Sequence, residues 1–389
     1  MWYLLWLLLP LAALSGWWIG RRGQTTQKPA PSLSRDYFQG LNYLLNEEPD
    51  RAIEVFTRMV ELDEDTVETH LTLGNLFRRR GEADRAVRIH QNLIARPSLA
   101  PEQRAAALVE LARDYQAAGL LDRAESLFRE AMDLPEHRAT ALRSLLDIYQ
   151  QEKEWESAID IARQLQRSTG ESLGPVMAQF ACEQAEARMR DHAEPGEIRS
   201  LLRRAWSYDR NCVRASLLQS DLEERQSRWR QAIRACLQVE TQDVDYIPEV
   251  LPRLERCYQA LDASDQFAHD LRRLLSRYPG VSVILKLSDI IQAREGRKAA
   301  VEFLATQLRE RPSVRGLDRL IALNIDNTDS DRRRQRDLGV LRELFRALLS
   351  DRLPYACVSC GFEARQLHWQ CPGCRGWATI KPRRGLEGE

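Results

Sequence analysis

The sequence lacks the short motifs by which common enzyme classes are recognised. It contains no Walker A loop, no dinucleotide-binding fingerprint and no GxSxG nucleophile elbow, and its six histidines show no HExxH spacing. The chain therefore lacks the usual signatures of nucleotide-binding proteins, hydride-transfer enzymes, serine hydrolases and zinc proteases. Acidic residues are plentiful, but helix surfaces are usually charged, and nothing marks a catalytic pair. We therefore predict that the chain is not an enzyme.

The chain also lacks an excess of charge of either sign. Its 57 lysines and arginines balance 57 aspartates and glutamates, so no overall field draws it onto nucleic acid, and we predict no nucleic-acid partner. A basic cluster near the C-terminus keeps nucleic-acid binding as a weaker alternative, although solvated loop charge is the more ordinary interpretation. The cluster consists of Lys381, Arg383 and Arg384.

Charge is absent altogether from Trp2 to Gly20. A helix of this length spans about 28 Å, close to the roughly 30 Å of a bilayer core, so we predict a transmembrane anchor at residues 1–20. A cleaved signal peptide is the alternative, but no basic segment precedes the apolar run. Arg21 and Arg22 follow directly. By the positive-inside rule they predict a single-pass membrane protein whose soluble domain lies in the cytoplasm.

Two further features accompany the predicted anchor. Gly16 and Gly20 form a GxxxG pattern, which leaves a helix-mediated homodimer open. Residues 21–34 are mostly polar and contain two prolines, as a short linker does.

β-Branched residues are sparse in the remainder, whereas Leu, Ala, Glu, Arg and Gln dominate, and this composition predicts an all-α fold. A pattern of small and large residues also recurs. Its first positions, 34, 38 and 34 residues apart, are Gly40, Gly74, Ala112 and Leu146. Twelve residues after each stands an alanine: Ala52, Ala86, Ala124 and Ala158. Four residues later come Phe56, His90, Phe128 and Ala162.

This spacing is that of tetratricopeptide repeats, in which each unit is a pair of antiparallel helices that must stack on its neighbours. We predict about eight units over residues 35–315, the later ones degenerate, coiled into a superhelix. The small residue of the first helix is expected to face the alanine of the second. Residues 316–352 are predicted to form connecting helices, the last of which packs the C-terminal module onto the array.

The C-terminal module carries two CxxC pairs ten residues apart. A tetrahedral metal ion takes four thiolates at about 2.3 Å, and each CxxC turn supplies two of them. Two disulfides or four free thiols are the alternatives, and a reducing cytoplasm disfavours the disulfides. We predict one metal ion, zinc or iron, in a ribbon over residues 353–384, held by Cys357, Cys360, Cys371 and Cys374. The isolated cysteines Cys182, Cys212, Cys236 and Cys257 are predicted to fill the core.

The ribbon resembles those of rubredoxins, because Gly361 follows the first cysteine pair and Pro372 lies within the second. A rubredoxin-like redox carrier on a membrane-tethered scaffold is therefore the alternative function. A module of this size has little core, and its aromatic residues are expected to form it. They are Tyr355, Phe362, Trp369 and Trp377.

The order of anchor, tetratricopeptide array and rubredoxin-like ribbon resembles the lipopolysaccharide assembly protein B family. This resemblance implies an inner-membrane regulator of lipopolysaccharide biosynthesis in Gram-negative bacteria. It implies that the chain helps a membrane-bound ATP-dependent metalloprotease degrade the lipid A pathway deacetylase, and that it contacts lipopolysaccharide assembly and export proteins. It also implies metal binding by the four C-terminal cysteines.

Overall fold

The computed structural model describes residues 35–46, 48–62, 67–278, 280–325, 332–350 and 353–385. None of the helices within these ranges combines the length and apolar character that a membrane crossing requires. The predicted anchor, the linker and the GxxxG pattern lie outside the described residues. The described residues form two compact units, which divide between Ser144 and Leu145.

Helices paired along the chain make up almost all of the described structure. In the first unit they are α1 (Arg35–Leu45), α2 (Pro49–Leu62), α3 (Val67–Arg79), α4 (Ala83–Ile94), α5 (Pro101–Ala117), α6 (Leu121–Ala131) and the start of α7 (Arg138–Glu152). In the second unit they are α8 (Trp155–Thr169), α9 (Gly174–Arg190), α10 (Pro195–Tyr208), α11 (Val213–Arg225), α12 (Trp229–Gln242), α13 (Ile247–Ala260), α14 (Ser264–Arg277), α15 (Val281–Glu295), α16 (Arg297–Glu310), α17 (Val314–Ile325) and α18 (Arg332–Ser350). The predicted all-α repeat architecture is confirmed.

Three strands at the C-terminus complete the fold. They are β1 (Tyr355–Cys357), β2 (Glu363–Ala364) and β3 (Ile380–Pro382). They form an antiparallel sheet in the order β2-β1-β3, with Tyr355 opposite both Ala364 and Pro382.

The small residues of the first unit face a different partner from the one predicted. A Cβ atom added at Gly40 would lie 2.6 Å from Cζ of Phe56, and one added at Gly74 would overlap His90. The residue four positions after the repeat alanine therefore lies over each glycine, because only a glycine leaves room for a ring there. The expectation that the glycine faces the alanine is wrong in this detail.

Most of the turns within helix pairs share one geometry. The first or second residue after the first helix adopts the left-handed conformation, with φ of 85° at Gly81, 60° at Lys153 and 57° at Ser227. Next to it, a backbone N–H bonds back to the helix, as in Glu82 N–H to Phe77 O at 2.8 Å and Arg228 N–H to Glu223 O at 2.9 Å. This is the Schellman arrangement, which satisfies carbonyls that the helix end leaves open.

A buried charged cluster joins α3, α4 and α5 in the first unit. Arg78 reaches Glu110 at 2.6 Å and Asp114 at 2.7 Å, and Asp114 also pairs with Nδ1 of His90. The Asp114 and His90 side chains are fully buried. His90 thus fills a core position, as its place in the repeat predicts, and gains a carboxylate partner that the repeat pattern does not specify.

Candidate metal centre and its seat on the array

The two cysteine knuckles of the ribbon are built alike. In the first, Cys357 N–H bonds to Phe362 O and Gly361 N–H returns to Cys357 O, at 2.8 and 2.9 Å. In the second, Cys371 N–H bonds to Gly376 O and Arg375 N–H returns to Cys371 O, both at 2.8 Å. The fifth residue of each knuckle is left-handed, with φ of 76° at Gly361 and 58° at Arg375. Each turn therefore directs its two sulfurs to the same side.

The four sulfurs converge on one point. Their Sγ atoms all lie within 4.8 Å of one another, and among the described residues they form the only cluster of histidine, cysteine and acidic side chains suited to a metal ion. Cys357 Sγ is 3.7 Å from Cys374 Sγ, and Cys360 Sγ is 3.7 Å from Cys371 Sγ. A tetrahedron with metal–sulfur bonds of about 2.3 Å has edges of about 3.8 Å, so the donor set fits a zinc or ferrous or ferric ion.

The electrostatics of the thiols also favour a cation. The pKa of Cys357 is lowered to about 6, chiefly by its hydrogen bond with Thr379 and further by the backbone N–H groups of its knuckle. The Phe362 backbone lowers the pKa of Cys360, but desolvation and the three neighbouring cysteines outweigh it and raise that pKa to about 12. The Cys357 thiolate therefore forms readily, whereas Cys360 ionises only against the influence of its neighbours, which a bound cation would relieve.

The site lies at the edge of the ribbon. Cys357 and Cys371 are buried against Ile380, with Tyr355 and Leu367 beside them, while Cys360 and Cys374 are exposed. His368 is exposed and is not part of the sulfur cluster. The core of the ribbon is thus small and contains neither Trp369 nor Trp377. The expectation that all four aromatic residues form this core is correct only for Tyr355.

Trp377 leaves the ribbon and enters the repeat array instead. Its ring packs edge-on against Trp155 of α8 and Phe180 of α9, with centroid distances of 6.2 and 5.7 Å. Its indole N–H donates to Gln150 Oε1 of α7 at 2.9 Å. An indole removed from water needs a partner for its N–H, and this arrangement supplies one while partly burying the ring.

Trp369 forms a second contact with the array. It stacks on Tyr246, which lies in the single 3-10 turn after α12, at a centroid distance of 5.6 Å. The Arg214 guanidinium lies over the Trp369 ring, 5.7 Å from the centroid of the ring. Arg214 is itself buried and pairs with Glu183 at 2.7 Å and with Glu186 at 2.5 Å. The arginine therefore keeps its carboxylate partners while contacting the indole.

Strand β3 supplies the third contact, through backbone and charge. The Tyr246 hydroxyl donates to Ile380 O at 3.0 Å. Lys381 Nζ lies 2.7 Å from Asp243 and 2.9 Å from Asp245, and Arg384 also pairs with Asp245. Desolvation and the nearby acidic residues raise the pKa of Tyr246 well above its usual range, so its hydroxyl stays a donor.

These contacts change the interpretation of two predicted features. The C-terminal basic cluster is committed to carboxylates, since Arg383 also pairs with Glu363 within the ribbon at 2.8 Å. The helix predicted to pack the ribbon onto the array, α18, is held instead by α17, through Arg342 and Asp318 at 3.1 Å. The ribbon contacts the array directly. Trp377 donates to Gln150 and Tyr355 donates to Glu249 at 2.5 Å, so the contacts on the array extend over residues 150–249 of the sequence.

Sequence reasoning missed the residues that receive the ribbon. The sequence offered one signal for them, which is the presence of aromatic residues outside the repeat pattern, at Trp155, Phe180 and Tyr246. The isolated cysteines are buried, as predicted. Cys182 and Cys212 are nevertheless adjacent, with sulfurs 3.7 Å apart, because α9 and the start of α11 meet there.

Comparisons with known proteins agree with this architecture. A family model described as a rubredoxin metal binding domain matches residues 355–382, and two tetratricopeptide repeat models match residues 69–105 and 109–172. The chain is 40% identical over 387 residues to lipopolysaccharide assembly protein B of Escherichia coli strain K12, covering 99% of each sequence. It is 38% identical over 389 residues to the protein of that name from Haemophilus influenzae, covering 97% of this chain and 98% of the relative.

Solved structures give weaker matches. A tetratricopeptide repeat protein from Parabacteroides merdae covers 79% of this chain and 97% of its own, with a TM-score of 0.31 and 11% identity. The MamA protein covers 49% of this chain and 90% of its own, with a TM-score of 0.34 and 19% identity. With TM-scores this low, the assignment to a family rests on the full-length sequence relatives.

Proposed function

The chain belongs to the lipopolysaccharide assembly protein B family, and from this membership we propose that it is an inner-membrane regulatory adaptor of lipopolysaccharide biosynthesis. In this role it promotes degradation of the deacetylase that commits precursors to lipid A, by a membrane-bound ATP-dependent metalloprotease. It also links to proteins that assemble and export lipopolysaccharide. Its relatives are named as assembly proteins and it carries a repeat scaffold, consistent with a non-enzymatic adaptor.

The proposal includes the membrane topology and the domain boundaries. Residues 1–20 form the single anchor with a periplasmic N-terminus, residues 21–34 the linker, and the repeat array over 35–315 faces the cytoplasm. Residues 316–352 connect the array to the ribbon at 353–384. A tether of this kind raises the effective concentration of an adaptor beside partners in the same membrane.

The proposal also assigns one metal ion, zinc or iron, to Cys357, Cys360, Cys371 and Cys374. The bound ion would supply folding free energy to the ribbon, as structural tetrathiolate sites do. The protein's own contribution is to hold the four sulfurs in position through two matched knuckles and to seat the ribbon by Trp369 and Trp377.

One observation carries the adaptor role. The similarity to lipopolysaccharide assembly protein B extends over the full length of the chain, including both the repeats and the ribbon. The seat of the ribbon supports it further. Trp377 and Trp369 contact helices from several repeats, so the ribbon and the array present one joint surface. A partner that binds this surface would depend on both parts.

The test is crosslinking from intact membranes, followed by recovery of the chain and its partners. We compare wild type with the double variant Cys371→Ser/Cys374→Ser and with Trp377→Ala, and use Trp377→Phe as the matched control that keeps an aromatic ring. We expect wild type and the control to recover both protease and deacetylase, and the other two variants to lose at least one. If wild type recovers neither partner, the role in proteolysis is wrong.

A redox carrier is the second candidate, and the exposure of Cys360 and Cys374 favours it, because it leaves one edge of the centre accessible to an electron partner. Colour separates the two functions. A ferric tetrathiolate absorbs visible light, whereas zinc is silent, so a colourless and fully metallated protein would rule out the carrier.

A further inference from the structure

A groove in the second unit lies apart from the ribbon and its seat. Two adjoining cavities of about 780 and 320 Å³ share Arg230 and Leu261 in their linings. Their walls are the turn between α11 and α12, the first two turns of α12, and the turn between α13 and α14. Each of the two volumes lies in the range of pockets that hold small molecules or a few residues of a peptide.

The rim of the groove is strongly basic. Arg228, Arg230 and Arg234 line the larger cavity, and neither lining contains a carboxylate. Within the described part of the chain, Arg230 and Arg234 make no ion pair, and the one contact of Arg228, to Glu223, is long at 3.8 Å. Arg230 and Arg234 lie one helical turn apart on one face of α12, where like charges repel each other. Three positive charges are thus gathered in a chain that is neutral overall.

Several arginines elsewhere in this unit are paired by contrast. Arg253 meets Asp221 at 2.7 Å, Arg256 meets Glu224 at 2.6 Å, and Arg319 meets Asp289 at 2.7 Å. Each pair bridges neighbouring repeats. The groove lacks such pairs, and it offers guanidinium groups that can take a carboxylate in bidentate geometry.

The floor of the groove is apolar. Leu261 lies under both cavities, and Ile233 and Ala263 line the smaller one. Tyr258 also lines it, and its hydroxyl proton is already donated to Asp270. The smaller cavity therefore offers apolar surface for a hydrocarbon group beside the shared Arg230.

The two halves of the groove together restrict what fits. A free inorganic anion would use the guanidinium groups and leave the apolar part of the groove uncovered. We propose that this groove binds an acidic peptide segment of a partner protein, with carboxylates on Arg230 and Arg234 and an apolar side chain on Leu261. This inference does not depend on the metal centre or on the proposed role in proteolysis.

An immobilised array of random nonapeptides tests the inference with purified full-length protein in detergent. We compare wild type with Arg230→Glu/Arg234→Glu, and use Arg203→Glu as the matched control, because Arg203 is also exposed on the second helix of a pair. We expect wild type and the control to retain peptides enriched in Asp and Glu with one large apolar residue. The double variant should retain them at least about tenfold more weakly.

Further measurements keep the result independent of folding and of ligand source. Circular dichroism checks that each variant keeps its helices. Leu261→Ser should remove the selection for the apolar residue while leaving the acidic preference. Equal retention by wild type and the double variant, or no acidic enrichment, would overturn the inference. Binding to phosphatidylglycerol vesicles that is lost in the double variant, without peptide selection, would assign the groove to lipid headgroups and equally overturn it.

Discussion

The helix pairs of residues 35–144 and the pairs that receive the ribbon use the same turn geometry but different side chains. In the first region the aromatic residue three positions after Gly40 or Gly74 carries an arginine from the next helix over its ring, at 5.8 Å for Arg51 and Tyr43 and 5.4 Å for Arg85 and Phe77. In the second region the aromatics Trp155, Phe180 and Tyr246 contact the tryptophans of the ribbon instead.

This difference explains why the repeat pattern fades along the chain. In residues 35–144 a side chain has only to pack its own pair and the neighbouring one, so the small and large positions recur. Where the ribbon is seated, the same helices also accommodate two indole rings and strand β3. Residues such as Arg214 and Tyr246 satisfy that second requirement, and the repeat signature is lost where they stand.

Removal of the metal should have the largest effect, and should separate the two regions. Chelation, or Cys371→Ser/Cys374→Ser, takes away stabilisation on the order of 10 kcal/mol from a ribbon with little core of its own. We expect proteolysis within residues 353–385 and a shift in tryptophan fluorescence as Trp369 and Trp377 leave the array. Hydrogen exchange in α3 to α5 should stay unchanged, and faster exchange there would show that the first region depends on the ribbon.

The buried charges of the first region give the next largest effect. Asp114→Ala takes from Arg78 and His90 the carboxylate that they share. Arg78 keeps Glu110, but the buried Nδ1 of His90 loses its partner, and breaking this buried network costs about 3 kcal/mol of unfolding free energy. Urea denaturation measures this loss. The control is Glu48→Ala, which removes the exposed partner of Arg51 and should cost less than about 0.5 kcal/mol. Similar losses for the two variants would contradict the view of Asp114 as a buried hub.

The turns provide a smaller and more direct comparison. Lys153 adopts φ of 60° at the position that glycine holds in the earlier turns, with φ of 85° at Gly81. Lys153→Gly should relieve left-handed strain and raise the unfolding free energy by about 0.5 kcal/mol, net of the extra freedom in the unfolded chain. Gly81→Ala should lower it by about 1 kcal/mol. Thermal unfolding of both variants gives the signs, and a destabilised Lys153→Gly would mean that the lysine side chain has a role of its own.

The smallest effect is a pH dependence between α8 and α10. The Arg204 hydrogen bond lowers the pKa of Glu156 to about 2, against 4.5 for the free group. Because the folded pKa is the lower one, this contribution is complete above about pH 4.5 and is lost as the pH falls toward 2. The pair is largely exposed, so screening limits it to about 0.5 kcal/mol. The difference in unfolding free energy between wild type and Glu156→Gln should shrink over that range, and a constant difference would contradict the assignment.

Local features account for most of what could be predicted from the sequence. The helix pairs could be predicted because a pattern of small and large side chains recurs at intervals of 34 to 38 residues. The convergence of four sulfurs follows from two CxxC turns, because each knuckle closes its own hydrogen bonds within six residues. A left-handed conformation could be predicted at the glycines of the early turns for the same reason. The residue types of Lys153 and Ser227 give no indication of that conformation.

The sequence by itself determined the helical repeats, the cysteine knuckles and the resemblance to a family, since each depends on residues near one another along the chain. Only the tertiary structure decided where the ribbon is seated and that Arg230 and Arg234 share one groove with Leu261. The Trp377 contact with Gln150 spans 227 positions of sequence. At such a separation neither spacing nor composition selects one partner among many polar and aromatic side chains, and the choice is made by the packing of the whole second unit.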